Sequence, residues 1–373
     1  MRYICYLVIM ICLVASCGQP GNHSSSSEAV ASDSLRYATG FSIHRFDGYT
    51  SVEITNPWDT AKVLQRYVLV SRDKPMPGNL PKGTLLKVPL RNVVVYTSVH
   101  ASIIEQMGEA DKIVGVCEPE YMDSPAVKEG LRSGRIADLG KATAPNIEKM
   151  VDINAEYLLV SAFENSNYGQ TEKLGVPIIE AIDYMESLPL GRAEWSRLWG
   201  LLFNKEEEAD AIFRETEQEY LALKELAATA TTRPTVFSER RYGSYWYVPN
   251  KDSYVAHFFA DAGADYIFKD IPGAGSSPLA FETVLDKAIH ADLWLMKYNL
   301  AAELTYADLR AEYTPYENFD AYKNRRIFTC NTGQVPYYEE SPIRPDYLLK
   351  DMIKIIHPEL LPDYSLRYYQ EMK

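Results

Sequence analysis

Side chains able to hold a large aromatic or metal-bearing ligand fall just past short apolar runs in this 373-residue chain. VVVY at 93–96 ends in Tyr96 and leads to Ser98 and His100. EYLLVSA is followed by Phe163 and Asn165, and VPIIEA by Tyr184. In the second half, TVFS leads into Glu239, Arg240 and Arg241 and then Tyr245 and Trp246. ADLWLM leads into Lys297 and Tyr298, with Tyr337 and Tyr338 further on. Runs of this kind read as buried strands, and open α/β sheets bind ligands beyond the carboxyl ends of their strands. Aromatic planes stack and arginines make bidentate hydrogen bonds, so the set suits a large, flat or aryl-rich ligand with negative charge. An imidazole at His100 could ligate the metal of a haem or a corrinoid, although a lone histidine is more often a hydrogen-bonded structural residue.

Other chemistries find less support. A bare zinc or manganese site wants two or three histidines at loop positions; His257 falls in a helical stripe, His290 precedes a strand, and no His-rich loop exists. There is no Gly-x-Ser-x-Gly, no His-Glu-x-x-His and no phosphate loop, since GAGSSP at 273–278 lacks the lysine. Ser276 and Ser277 are expected to cap the helix that follows. A non-enzymatic protein with no resident cofactor or bare metal is therefore expected. The formal charge of −13 and a pI near 5.1 disfavour nucleic acid and anionic lipid as partners of the folded body.

The elements that must position these residues alternate. Strand VVVY, helix VHASIIEQMGE, strand DKIVGVCE, helix NIEKMVDIN, strand EYLLVSAF, helix GQTEKLG and strand VPIIEA indicate a parallel α/β sheet. From 193 to 230 proline is absent and Gly200 is the only glycine. The piece from Lys205 to Ala230 keeps an apolar stripe over about 39 Å of helix. The α/β alternation then resumes and ends in a helical tail. The fold class is thus α/β, two lobes with parallel-type sheets joined by one long backbone helix. Divisions follow: a leader at 1–16, a tether at 17–40, a β extension at 41–90, lobes at 91–190 and 233–373, and linking helices at 191–232.

The amino terminus, MRYICYLVIMICLVASCGQP, has a basic start, an apolar core too short to span a bilayer and small residues before a cysteine, the pattern of an export signal. Val14-Ala15-Ser16-Cys17 resembles a bacterial lipobox, which implies a lipid on Cys17, and a Ser-rich tether follows. The cell envelope is the expected location, with the body facing the periplasm or exterior and touching the membrane only through the anchor. Beyond the leader and Cys17, only Cys117 and Cys330 remain; they read as structural, and whether they pair is open.

Several stretches in order, VVVYTSVHASIIEQMGEADKIVGV, IADLGKATAPNIEKMVDINAEYLLVSA, LWGLLFNKEEEADAIF, VPNKDSYVAHFFADAGADYIF, FETVLDKAIHADLWLM and PDYLLKDMIKIIHPELLPDY, cover most of 91–364. Together they resemble the class III substrate-binding lipoproteins of ABC importers for iron complexes and cobalamin. The resemblance implies an iron siderophore, haem or, as the alternative, a corrinoid as ligand, and an ABC permease dimer with its ATPase as partner. It also gives a meaning to a repeat: IEKMVDINAEYLLV at 147–160 is echoed by FETVLDKAIHADLWLM at 281–296. In that family each lobe offers an acidic residue near a helix start to permease arginines, and the matching positions are Glu148 and Glu282. A glutamate in a first helical turn also complements the helix dipole, whatever else it does. A scavenging or adhesive lipoprotein with no permease is the reading from another class.

Overall fold

The computed structural model describes residues 29–373; the leader and Cys17 lie outside them. The extension forms a five-stranded sheet of β1 (Ala31–Ser32), β2 (Phe41–Phe46), β3 (Tyr49–Thr55), β4 (Val63–Ser71) and β5 (Thr84–Val88), in that order. All its neighbours are antiparallel except β4 and β5. Alternate residues Phe41, Ile43, Val52, Ile54, Tyr67, Leu69, Leu86 and Val88 point into one core shared with Val93, Val95 and Ile103 of the first lobe. A sheet that shares its only large apolar face in this way is part of that lobe.

The tether expected to run to residue 40 ends earlier. Buried Glu194 accepts the backbone N–H groups of Arg36, Tyr37 and Ala38 at 2.8–3.0 Å. Buried Glu186 accepts those of Thr39 and Gly40 at 2.8 Å and the Trp195 indole N–H at 3.0 Å. Gly40 is required there, since a Cβ would lie 2.7 Å from the Trp195 ring.

The first lobe comprises β6 (Val93–Val95), α1 (Ser98–Gln106), β7 (Ile113–Val116), α2 (Pro125–Ser133), β8 (Ala137–Asp138), α3 (Ile147–Asp152), β9 (Tyr157–Ser161) and β10 (Ile178–Ala181). Its sheet, ordered β10-β9-β6-β7-β8, is wholly parallel. Its centre is continuous Val, Ile and Leu, as expected of strands covered on both faces. Ser124 and Asn146 cap α2 and α3 by accepting from Val127 and Lys149. The expected helix at GQTEKLG is a single 3₁₀ turn, Thr171–Leu174.

Three linking helices follow: α4 (Pro189–Glu194), α5 (Ser196–Phe203), which packs in the first lobe's core, and α6 (Glu206–Ala228). The 23 residues of α6 reach roughly 35 Å. Its early residue Ala209 packs in the first lobe's core, while Tyr220, Leu223 and Ala227 pack in the second's. Gly200 permits the tight α5–α6 corner, where a Cβ would sit 2.5 Å from that of Ala209. Halfway along, Glu217 accepts from the Tyr37 hydroxyl and Arg36, and Thr216 donates to the Ile343 carbonyl.

The second lobe follows with β11 (Thr235–Ser238), β12 (Arg241–Tyr242), β13 (Tyr245–Pro249), α7 (Tyr254–Asp261), β14 (Asp265–Tyr266), β15 (Ser276–Leu279), α8 (Phe281–Ala288), β16 (Leu293–Tyr298), α9 (Tyr306–Glu312), α10 (Asp320–Lys323), β17 (Ile327–Asn331), α11 (Tyr337–Glu340), α12 (Pro345–Ile356) and β18 (Gln370–Glu371). Its main sheet is ordered β14-β11-β16-β17-β18, parallel except for the last strand, and β12-β13-β15 form a small antiparallel sheet. Ser276 and Ser277 lie in β15 and not at a helix cap; α8 begins after Ala280 with no side-chain cap. The core here is aromatic: Phe237, Trp246, Phe281, Trp294, Tyr316 and Phe319 meet with ring centroids 5.0–6.5 Å apart. Cys117 and Cys330 are free and buried in different cores, and burial pushes both thiols up to about 12.

Candidate ligand cleft

The carboxyl ends of both parallel sheets face a gap between the lobes, and the described residues enclose a cavity of about 310 Å³ there. The first lobe contributes Ser98 at the start of α1, then Glu120, Tyr121 and Asp123 after β7. The second contributes Asn299 after β16 and Thr332, Gly333, Tyr338 and Glu339 after β17. Buried Asn331 shapes this wall: its amide donates to the Leu300 carbonyl at 2.8 Å, and its carbonyl accepts from Gly333 at 3.2 Å. Thr332 donates to the Tyr298 carbonyl.

Exposed aromatics also fall at strand ends, two of them in this cavity. Among the described residues every exposed Tyr or Phe follows one: Tyr121 after β7, Phe163 after β9, Tyr242, Tyr245 and Tyr247 in the hairpin after β11, and Tyr338 after β17. Glu118, Asn165 and Glu239 follow β7, β9 and β11 with φ of 50°, 59° and 64°, a left-handed region costly for residues other than glycine.

A second cavity, about 480 Å³, lies on the second lobe between Glu239, Arg240, Tyr242, Tyr247, Tyr254 and Lys297. A third, about 570 Å³, lies between the lobes beside α1 and α2 and borders the first at Asp123, Pro336 and Glu339. At that border Glu339 accepts the Asp123 backbone N–H at 2.5 Å, a hydrogen bond from one lobe to the other. Burial pushes the Glu339 carboxyl up to about 7, although that N–H works against the rise.

Several residues read as ligand contacts turn inward. His100 is fully buried; its ring lies 4.5 Å from that of Trp199 and its Nε2 is 3.3 Å from Asp183. Burial acts to raise the Asp183 carboxyl, but His100 and Arg192 outweigh it and hold the group below its usual range. Tyr96 is buried among Cys117, Leu158 and Val160. Trp246 is wholly buried and donates its indole N–H to the Ser238 carbonyl. Tyr298 is buried and accepts from the Leu304 N–H. Tyr337 borders the cavity but is itself buried.

The remaining predicted contacts lie at strand ends. Ser98 lines the interlobe cavity. Phe163 packs 5.5 Å from Tyr184, whose hydroxyl donates to Ala162, and Asn165 is exposed beside them. Lys297 forms an ion pair with Glu239; burial opposes its charge, yet Glu239 holds it well above its usual range. Arg240 pairs with Glu312, and the Arg241 guanidinium lies 3.9 Å over the Tyr313 ring. Both arginines thus hold partners that an anionic ligand would have to displace. Tyr121, Glu120, Asn299 and Thr332 were missed, although the strand-end rule that selected Phe163 applies equally to Tyr121. No three His, Cys, Asp or Glu side chains converge as a metal site among the described residues.

Glu148 and Glu282 are exposed in the first turns of α3 and α8, and neither has an ion-pair partner among the described residues. The start of α3 is tied to the carboxyl end of β8, the Asn146 N–H donating to the Leu139 carbonyl and Lys149 to that of Asp138, whereas α8 follows β15 of the small antiparallel sheet.

The profile of the family described as Periplasmic binding protein matches residues 93–332. The chain belongs to this family. It is therefore a solute-binding protein and not an enzyme, of an extracytoplasmic family. It is 28% identical over 360 residues to an uncharacterized lipoprotein of Methanocaldococcus jannaschii, covering 90% of this chain and 84% of that one. A periplasmic heme binding protein of Pseudomonas aeruginosa superposes with a TM-score of 0.59 at 15% identity, over 77% of this chain and 99% of that one. A possible iron-binding protein of Staphylococcus epidermidis gives 0.57 at 17% identity, over 72% and 99%. At such identities the likeness is one of fold, the class III arrangement of two lobes on a helical backbone.

Proposed function

We propose that the protein captures a metal complex, an iron chelate or haem or alternatively a corrinoid, in the interlobe cleft and delivers it to an ABC permease and its ATPase. The observation that carries the reading is a cavity that both lobes line at the carboxyl ends of their strands, with exposed Tyr121 of the first lobe and Tyr338 of the second in its wall. Aromatic faces suit chelates and macrocycles, which present broad apolar surfaces. Superposable proteins named for iron and heme binding support the class of ligand. The anchor would be a lipid on Cys17. With α6 seated in both cores, closure on ligand should be modest, because a packed helix resists wide hinge motion.

Incubation with ferric hydroxamate, haemin and cobalamin in separate tubes, followed by desalting and a visible spectrum, tests capture; a retained band is expected from one, and colourless protein from all three would refute the reading. For delivery, charge reversal at both Glu148 and Glu282 should abolish uptake and leave affinity unchanged, since charge-assisted contacts with arginines give register. Lost affinity would place those residues in the pocket instead.

A further inference from the structure

We propose that the cleft selects neutral or cationic metal complexes and rejects polyanionic ones, an inference that rests on the interlobe cavity being the ligand site. Among the described residues, the ionisable side chains that line this cavity, tyrosines aside, are Glu120, Asp123 and Glu339, and none is a lysine or arginine. The cations paired with two of them lie outside that wall: Lys128 is 2.5 Å from Asp123 and Lys141 3.7 Å from Glu120. The basic residues of the second lobe are already committed: in the adjoining cavity Arg344 pairs with Asp346 and Arg367 with Glu340, and beyond it Lys297 pairs with Glu239, Arg240 with Glu312, and Arg241 lies over the face of Tyr313. A polyanion in the cavity would meet carboxylates with no free cation to offset them, and would break an existing ion pair to recruit one.

The rim acts in the same sense. Tyr121 and Tyr338, about half exposed and contributed by opposite lobes, line the cavity. An aromatic face carries negative quadrupole density that attracts cations and repels anions. The chain's formal charge of −13 adds a long-range field of the same sign. Glu339, with its carboxyl raised by burial, gains charge as pH rises through neutrality, so discrimination should sharpen on the alkaline side.

The test compares two coloured iron complexes of similar bulk and opposite charge, a monocationic ferric trihydroxamate and a trianionic ferric tris-catecholate, titrated into the purified protein at low ionic strength. The trihydroxamate should bind at least about tenfold more tightly, and added salt should narrow the difference. In the double variant Glu120→Gln/Asp123→Asn, which changes two half-exposed side chains and frees Lys128, the ratio should fall toward unity through a gain in catecholate binding. Equal or tighter catecholate binding by the unaltered protein would overturn charge selection while leaving the cleft reading intact. Binding of either complex that is indifferent to Tyr121→Ala and Tyr338→Ala would overturn the cleft reading and this inference with it; retention of neither complex would overturn this inference alone, and the cleft reading too if haemin and cobalamin are also not retained. A circular dichroism spectrum confirms that each variant is folded.

Discussion

The two lobes follow one α/β plan but bring different chemistry to the cleft. The first is built on Val, Ile and Leu, and the described side chains it turns toward the shared cavity are mainly short and acidic, with Tyr121 beside them. Its large polar interior group, His100 with Asp183 and Arg192, is sealed behind the strand ends. The second lobe is built on interlocking tryptophan, phenylalanine and tyrosine, and it continues that aromatic character outward into Tyr242, Tyr245, Tyr247 and Tyr338. Equivalent topology thus fixes where a ligand-facing loop emerges and leaves its chemistry free.

This contrast can be broken at several strengths. The largest effect is expected in the aromatic core: Trp294→Ala removes a ring that touches Phe237, Trp246, Tyr316 and Phe319 and should cost about 3–5 kcal/mol in chemical denaturation. Tyr245→Ala, one register step from buried Trp246, should cost no more than about 0.5 kcal/mol. Next comes the sealed group of the first lobe. His100→Ala leaves Asp183 without its hydrogen-bond partner and should destabilise by about 2–4 kcal/mol, while ligand affinity stays unchanged. A fall in affinity with normal stability would restore His100 as a ligand contact.

The smallest effect concerns the bridge between lobes. Glu339 has a pKa near 7 in the folded protein against an ordinary 4.5, so the folded chain keeps a proton that the unfolded chain has released. Its cost is absent below the ordinary value, grows as pH rises toward 7 and is complete above it. Melting temperature should therefore fall from about pH 5 to about pH 8 by an amount on the order of 1–3 °C owed to this residue, and Glu339→Gln should flatten that part of the profile.

Most strands and helices of the lobes were legible because periodicity reports burial directly, as in β9 and the buried stripe of α6. The small sheet and β18 were not, since strands of two to five residues depend on partners distant in sequence. The site was legible in place but not in detail. A strand-end rule finds loops, yet it does not say which side of a strand a residue faces. Tyr245 and Trp246 are adjacent in β13, as are Lys297 and Tyr298 in β16, and period-two alternation forbids both members of either pair from facing the cleft. Tyr245 and Tyr247 turn out while Trp246 and Val248 turn in. His100 illustrates a different limit: its helix α1 starts at a strand end, but the third residue of that helix points back at Trp199, a contact set by the distant α5.

The most direct test is a crystal structure of the protein carrying whichever metal complex it retains. The metal should lie between the lobes with Tyr121 and Tyr338 against the complex, His100 still on Asp183 and α6 unbent. A complex bound elsewhere, or coordinated by His100, would contradict the account.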